Sequence, residues 1–432
     1  MGHLFSRKAR EQRKKKSDDQ IILEGEVCLD HFEILRSIGR GSFGKVCIVQ
    51  RKDNKNLYAL KYMSKEKCYA QGALQNVLKE LRIMKKLSHP FLVNLWYAFQ
   101  DEEDMFMVLD LMLGGDIRFH LNEGKHFTEQ QITLYLAEVG LALDYLHQRQ
   151  IIHRDIKPDN LLLDEKGHVH LTDFNIATVL KDHCLATSLS GTKAYMAPEI
   201  FGTYLNKVRG YSHEVDWWSL GVTICEMIRG KRPFSINSDT DAATAHNIFM
   251  SELVLELPTS LSENLVRVIK RLLQPDPLKR LSTVKHLKEA SVMKNIDFDE
   301  VLAKEIIMSF IPSRDNLNCD PTYELEEMII ESKPLHKKKK RLHKQLSKKV
   351  SASAESNSTS VSSKDPYQQQ LELLNTEFAI FDRTKDNEES PSSETKNSEI
   401  GPGTQDDKNQ EPQLDHLNSL KDDSKQETTP QI

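Results

Sequence analysis

The chain has 432 residues, of which 38% are hydrophobic and 28% are charged, so it can bury a large core like an ordinary soluble globular protein. Its formal net charge of −5 is small for this length and argues against a nucleic-acid partner. Six scattered cysteines without a Cys-x-x-Cys pair, and no apolar run of membrane-spanning length, argue against a disulfide framework, a zinc site and a transmembrane protein.

The N-terminal segment, residues 1–30, combines a lipidation pattern with a basic run. Gly2 and Ser6 fit the pattern for N-myristoylation. One myristoyl chain binds membranes only marginally, but the basic run at 7–16 supplies attraction to anionic lipid as a second signal. We therefore expect a cytoplasmic protein that associates with the inner leaflet of the plasma membrane. A plain disordered basic tail and a nuclear-localisation signal are the alternatives.

The first globular segment is a strand at 32–38, followed by glycines at 39, 41 and 44 and a β-branched stretch at 46–49. A Gly-x-Gly-x-x-Gly pattern also marks dinucleotide-binding folds, but there the glycines open a helix. Here a strand follows, so the glycines are predicted to close a hairpin whose backbone can approach phosphates.

A short strand at 57–61 ends in Lys61, and the next segment has the apolar spacing of a helix over 74–84. Glu80 lies three residues after Val77, so it projects along the buried flank of that helix. A buried carboxylate needs a partner, and Lys61 is the obvious one.

Residues 106–116 predict a strand that runs into a Gly-Gly linker ending at Asp116. Thr128 and Gln131 then form a capping box for a long core helix that continues through Leu146. Further on, 216–227 is apolar nearly all round and predicts a buried helix, with Asp216 accepting backbone donors at its start.

The most informative run is 153–160, followed by the strand 161–163 and by 171–175. Asp155 can accept a hydroxyl proton and aim the attacking oxygen, and Lys157 can neutralise a transferred phosphate. Asn160 and Asp173 offer the oxygen ligands that Mg²⁺ prefers. Any single aspartate here would more often belong to an ordinary polar surface loop, but the ordered set is the protein-kinase catalytic signature.

These segments resemble the eukaryotic protein kinases, and Lys157 resembles the serine/threonine class. Three features resemble the AGC group: the two tryptophans of the helix at 216–227, the linker that ends in Gly-Gly-Asp at 116, and residues 310–312. Residues 173–175 and 318–327 resemble its YANK subfamily. The resemblance implies an α+β, two-lobed protein kinase fold, with a small antiparallel β-sheet lobe carrying one helix and a larger, mainly helical lobe. It also implies that ATP and Mg²⁺ are bound and that protein Ser/Thr hydroxyls are phosphorylated. We expect a monomer.

The resemblance assigns a nucleotide site as well. In it the glycine loop covers the phosphates, Lys61 paired with Glu80 contacts them, the backbone of the linker meets adenine, and Asp116 reaches the ribose. The residues it assigns to ATP are Ile38, Gly39, Arg40, Gly41, Ser42, Phe43, Gly44, Lys45, Val46, Lys61, Glu80, Asp110, Met112, Asp116 and Leu162.

Several positions depart from or refine this pattern. Asn175 replaces a glycine whose backbone angles few residues tolerate, and asparagine tolerates them best. Lys193 replaces a proline of the substrate-binding turn. The acids Asp116, Asp159 and Glu226 match positions that bind basic residues upstream of the phosphosite, so a preference for Arg or Lys there is expected.

The activation segment follows residue 173 and ends in Ala197-Pro198-Glu199, and by resemblance Glu199 pairs with Arg280. Ser188 occupies the place where related kinases carry an activating phosphate, and Arg154 could pair with such a phosphate. Because Asn76 and Thr178 replace the other basic members of that pocket, we do not expect phosphorylation of Ser188 to be obligatory.

The predicted domain order is the basic segment 1–30, the small lobe 31–113, the large lobe 114–292, an AGC-like extension 293–342 and a disordered tail 343–432. Within that tail, 377–382 resembles the hydrophobic motif that AGC kinases dock on the small lobe. A chance apolar patch is the favoured interpretation, since disordered tails often contain such patches.

Two other functions compete with the protein-kinase interpretation. A pseudokinase scaffold predicts the loss of Lys61, Asp155 or Asp173, yet all three are present. A small-molecule kinase is disfavoured by the activation segment and by Lys157.

Overall fold

The computed structural model describes residues 25–41, 44–181, 184–251, 255–314, 318–319 and 366–386. The N-terminal lipidation pattern, Ser42, Phe43 and most of the tail lie outside these ranges. No helix within them is long and apolar enough to cross a membrane.

A six-stranded antiparallel sheet forms the small lobe, in the order β1-β2-β3-β5-β4-β10. Its strands are β1 Phe32–Arg40, β2 Gly44–Arg51, β3 Leu57–Ser64, β4 Leu95–Gln100, β5 Asp104–Leu109 and β10 Phe381–Asp382. Gly41 donates its backbone N–H to the carbonyl of Gly44 at 2.9 Å and closes the first hairpin. A Cβ on Gly44 would meet the carbonyl oxygen of Tyr62 at 1.6 Å, so only glycine fits there.

Two helices accompany this sheet, α1 Lys65–Ala70 and α2 Leu74–Lys85. The apolar stripe predicted for α2 is buried, which confirms that helix and its orientation. The prediction of one helix was wrong, because α1 also forms. Ser64 caps α1 by accepting from the backbone of Lys67, a short-range signal that apolar periodicity does not reveal.

The large lobe is mainly helical and contains two short two-stranded sheets. Its helices are α3 Ile117–Asn122, α4 Glu129–Gln148, α5 Pro198–Tyr204, α6 Glu214–Arg229, α7 Ala242–Met250, α8 Glu263–Leu272, α9 Val284–Lys288 and α10 Phe298–Leu302. Its strands are β6 Ile151–Ile152, β7 Leu161–Leu163, β8 Val169–Leu171 and β9 Thr178–Val179, with β7 pairing β8 and β6 pairing β9.

Two predictions about the large-lobe helices are confirmed. Thr128 and Gln131 form the reciprocal capping box at the start of α4. Trp217 and Trp218 are fully buried in α6, which is buried over nearly its whole length. The predicted fold class, α+β with an antiparallel small lobe and a helical large lobe, is therefore confirmed.

The tail contains structure where disorder was predicted. Residues 366–386 form α11 Pro366–Glu377, β10 and α12 Arg383–Asp386, so the prediction of a disordered tail over 343–432 is wrong for this segment. The remainder of that tail lies outside the described residues. Leu374, Phe378 and Phe381 are buried, and β10 pairs with β4 along the sheet edge. The interpretation of 377–382 as a chance patch is also wrong, because its two phenylalanines enter the core of the small lobe.

Candidate active site

The catalytic loop, residues 153–160, is held in place by hydrogen bonds to α6. Asp216 is fully buried, and its carboxylate accepts the backbone N–H groups of His153 at 2.9 Å and Arg154 at 2.7 Å. His147 adds a third contact to the same carboxylate at 2.9 Å. Burial alone would raise the pKa of Asp216, but hydrogen bonding to His147 and the nearby charges lower it. A charged anchor thus fixes the loop, as predicted for Asp216.

Asp155 lies at the centre of a hydrogen-bonded set. Its Oδ2 accepts from Lys157 Nζ at 2.7 Å, and its Oδ1 accepts from the Thr192 hydroxyl at 2.7 Å. Lys157 Nζ also donates to the Thr192 hydroxyl at 2.9 Å. Burial would raise the pKa of Asp155, but the bonds from Lys157 and Thr192 outweigh it and lower that pKa. Asp155 is therefore an ionised acceptor in a fixed orientation.

Asn160 is oriented by the same aspartate. Its Nδ2 donates to the backbone carbonyl of Asp155 at 2.8 Å and to Oδ2 at 2.9 Å, so the amide presents its Oδ1 elsewhere. The backbone N–H of Thr172 donates to the carbonyl of Asn160 at 3.0 Å, which brings the next residue, Asp173, beside it. One amide oxygen and one carboxylate suit Mg²⁺, which usually keeps other positions for water and substrate phosphates.

The predicted ion pair of the small lobe is present. Lys61 on β3 donates to Glu80 on α2 at 2.6 Å, and Glu80 is almost completely buried. Burial would lower the pKa of Lys61, but the carboxylates of Glu80 and Asp173 raise it. Lys61 therefore keeps its charge. Asp173, in the loop after β8, is therefore close enough to Lys61 of the small lobe to act on it electrostatically.

The linker between the lobes carries the residues that the resemblance assigns to adenine and ribose. The Asp110 N–H already donates to the carbonyl of Asn94 at 3.0 Å, so Asp110 has its carbonyl left to offer adenine. Asp116 caps α3 by accepting from Phe119 at 2.7 Å, and burial raises its pKa. Leu162 is half-buried on β7 and forms a bridge with Asp116. Met112 is half-buried in the linker between Asp110 and Asp116.

The glycine loop is partly described. Ile38, Gly39 and Arg40 end β1, while Gly44, Lys45 and Val46 begin β2 on the other side of the turn. Gly41 joins them through its bond to Gly44. Val46 pairs with Lys61 across β2 and β3, so the hairpin and the lysine lie side by side.

One expectation about backbone strain is wrong. Asn175 was expected at a position with glycine-like angles, but the positive φ of 67° belongs to Asp173 instead. Aspartate tolerates the left-handed region better than most residues, because its short side chain can bond locally. In this loop the residue with strained backbone angles is thus Asp173, the predicted metal ligand. It lies two residues before Asn175, the position that the resemblance indicates.

The activation segment returns to the catalytic loop. Arg154 donates to the Ser188 hydroxyl at 2.6 Å and to the Tyr211 hydroxyl at 3.1 Å. Glu199 forms a two-bond pair with the fully buried Arg280, at 2.5 and 2.9 Å, as predicted. Lys193 donates to the carbonyl oxygens of Ser238 and Thr240.

Two functional residues were missed by sequence reasoning. Thr192 bonds both Asp155 and Lys157, a role that its place in the activation segment does not by itself predict. Arg118 bonds Glu226 and Asp159, two of the three acids expected to bind substrate. The signal for Thr192 was its place just before the turn containing Lys193. For Arg118, the signal was a cation two residues after Asp116.

Comparison with known proteins agrees with this geometry. The family model described as protein kinase domain matches residues 32–293. Human serine/threonine-protein kinase 32B is 52% identical over 360 residues, which cover 83% of this chain and 85% of that protein. Human serine/threonine-protein kinase 32C is 50% identical over the same length, covering 83% and 73%. The RAC family serine/threonine-protein kinase homolog of Dictyostelium discoideum is 37% identical over 304 residues, covering 69% and 66%.

The fold, the site and these matches define a protein kinase, and the chain belongs to that family. Within it, the chain is an AGC-group serine/threonine kinase of the YANK subfamily. It is an enzyme that phosphorylates protein serine and threonine. The pseudokinase alternative is not favoured, because the chain matches relatives that are serine/threonine-protein kinases and because Lys61, Asp155 and Asp173 are all present.

Proposed function

We propose that Asp155 and Lys157 perform phosphoryl transfer to a Ser or Thr hydroxyl of a protein. The observation that carries this proposal is the closed set of bonds joining Asp155, Lys157, Thr192 and Asn160. An ionised, immobile Asp155 accepts the substrate hydroxyl and aims its oxygen, so little reorganisation remains for the reacting step. Lys157 lies beside it and neutralises charge on the phosphoryl group in transit.

Asn160 and Asp173 are the proposed Mg²⁺ ligands, and Lys61 is the proposed phosphate contact. Held by these two residues, Mg²⁺ would supply positive charge that offsets the negative charge of the nucleotide phosphates. Asn160 is already oriented by Asp155, and Lys61 keeps its charge through Glu80. The glycine loop would cover the phosphates of ATP, and the linker backbone would bind its adenine.

The decisive experiment compares γ-phosphate incorporation by the wild-type protein, by Asp155→Asn and by the matched control Asp299→Asn, whose side chain is exposed on α10. We expect Asp155→Asn to lose at least about a hundredfold in kcat, since a positioned proton acceptor contributes that much or more. The control should behave like the wild type. Equal incorporation by Asp155→Asn would refute the proposed role.

The metal ligands have their own test. Asp173→Asn should raise the Mg²⁺ concentration needed for half-maximal activity by about tenfold or more, because loss of one carboxylate weakens a two-residue site. An unchanged Mg²⁺ dependence would assign the metal to other residues.

We also propose that Gly2 is N-myristoylated and that, with the basic run at 7–16, the lipid brings the kinase to anionic membranes. The sequence pattern and the adjacent positive charge support this, because a single acyl chain needs a second signal. Intact mass after co-expression with an N-myristoyltransferase should increase by one myristoyl group in the wild type and not in Gly2→Ala. An unmodified wild-type protein would end this proposal.

A further inference from the structure

Arg118 stands at the second position of α3, two residues after Asp116. Its Nη1 donates to Glu226 Oε1 at 2.9 Å, and its Nη2 donates to Glu226 Oε2 at 3.1 Å. This two-bond geometry is the strong form of an arginine–carboxylate pair. Glu226 belongs to α6, so the pair joins two helices of the large lobe.

Tyr195 completes the arrangement around Glu226. Its hydroxyl donates to Glu226 Oε2 at 2.5 Å and accepts from Arg118 Nη2 at 2.7 Å. Both carboxylate oxygens are therefore in use, and Glu226 is only 4% exposed. A carboxylate with this burial and these partners has little capacity for a further cation.

Arg118 also reaches a second acid. Its Nε donates to Asp159 Oδ2 at 3.3 Å, and Asp159 lies in the catalytic loop, between Lys157 and Asn160. The guanidinium thus lies against two of the three acids that were expected to bind basic residues upstream of the phosphosite. Asp116, the third acid, accepts no described hydrogen bond from the guanidinium, although Arg118 acts on it electrostatically and through its backbone.

The electrostatic consequence concerns substrate choice. An incoming substrate arginine has to displace a guanidinium that is covalently part of the enzyme, already ordered and partly buried. Because an intramolecular partner is present at a high effective concentration, the substrate competes poorly. A neutral or acidic substrate residue meets no such competitor, and it avoids a like charge next to Arg118.

We propose that Arg118 occupies the cation subsite formed by Glu226 and Asp159, and thereby sets the specificity of this kinase against Arg or Lys at the corresponding substrate position. That position takes a neutral or acidic residue instead. The upstream basic preference expected from the three acids is then reduced to the contact that Asp116 alone can supply.

A positional peptide library tests this without a known substrate. Each pool fixes one Ser as the phosphoacceptor and fixes Arg, Ala or Asp at one of the upstream positions, all other positions being degenerate. The full-length wild-type protein, Arg118→Gln and Arg118→Lys are compared by the ratio of kcat/KM for the Arg pool to that for the Ala pool. Arg149→Gln is the matched control, because Arg149 is exposed at the end of α4 and contacts Tyr145.

In the wild type, we expect Arg enrichment at no more than one upstream position. Arg118→Gln should gain a preference for Arg of about fivefold or more at a further position, because Glu226 and Asp159 are then open to the substrate. Arg118→Lys should keep the wild-type profile, since it retains the positive charge, and so should Arg149→Gln.

Two results would overturn the proposal. One is Arg enrichment at two or more upstream positions in the wild type, a result that stands whether or not the variants fold. The other is a folded Arg118→Gln protein, checked by thermal unfolding, whose Arg-to-Ala ratios match those of the wild type at every position. Arg118 would then hold α3 and α6 together without choosing substrates.

Discussion

Replacing Phe378 by alanine tests whether the docked tail segment supports the active site. Phe378 is fully buried, and Phe381, three residues later, is 8% exposed. The segment that carries them is fastened to α2, the helix of Glu80. Glu377 pairs with Arg82, and Lys85 Nζ donates to the carbonyl of Ala379 at 3.2 Å.

The size of the effect follows from this burial. Truncating a buried phenylalanine to alanine costs about 3–5 kcal/mol. If that loss falls on docking, about 3 kcal/mol lowers the ratio of docked to undocked tail more than a hundredfold. An undocked tail no longer restrains α2, so the Glu80 carboxylate is aligned with Lys61 in a smaller fraction of molecules. We expect kcat/KM to fall by about tenfold in Phe378→Ala, and by a similar amount in Phe381→Ala.

The assay combines activity with amide hydrogen exchange. Exchange of β4 amides should accelerate in both variants, because β10 covers the β4 edge of the sheet. Ile380→Ala is the control, since Ile380 lies between the two phenylalanines and is 44% exposed. Wild-type activity and wild-type protection in Phe378→Ala would refute the argument that the docked tail positions α2.

Three further predictions concern charged residues. Glu80→Gln removes the carboxylate that pairs with Lys61 and should lower kcat/KM by about a hundredfold in a steady-state assay; a loss under twofold would contradict its positioning role. Arg280→Gln leaves Glu199 buried without its cation and should lower the free energy of unfolding by about 3–5 kcal/mol in denaturant titration, whereas an unchanged midpoint would count against a buried pair. Burial would raise the pKa of Asp164, but its hydrogen bond with His170 and nearby positive charge hold it well below the ordinary range, so this carboxylate stabilises the fold above about pH 4 and less as the pH falls further. The stability difference between the wild type and Asp164→Asn should therefore shrink on acidification, and a constant difference would refute this linkage.

Much of the fold could be predicted because its local signals agree with its tertiary contacts. The capping box at Thr128 and the apolar stripe of α2 are short-range patterns, and each element formed where its pattern lies. The pairing of Lys61 with Glu80 followed from a single requirement, that a buried carboxylate needs a cation. Such predictions succeed because the sequence contains both the buried charge and the nearby residue that can neutralise it.

The tail shows where this kind of inference fails. Phe378 and Phe381 lie in a stretch whose composition indicates disorder. Composition describes the average of a segment, so it does not reveal two individual apolar residues that become buried. The pocket that receives them is built by β4 and α2, nearly three hundred residues earlier. The tail sequence does not indicate where it docks, and the sequences of β4 and α2 do not indicate what docks on them. The docked tail can therefore be recognised only in the folded small lobe.

Arg118 illustrates a different limit, which bears on how specificity is read from kinase sequences. An acid at a substrate-binding position predicts a basic substrate only while that acid is free. Whether Glu226 is free depends on a cation 108 residues away in the chain, and on a tyrosine hydroxyl that fixes the second oxygen. The charge of the subsite is therefore a property of three helical and loop segments packed together. For such a subsite, the charges of the enzyme's own residues that bond the acids have to be included before a substrate preference is assigned to it.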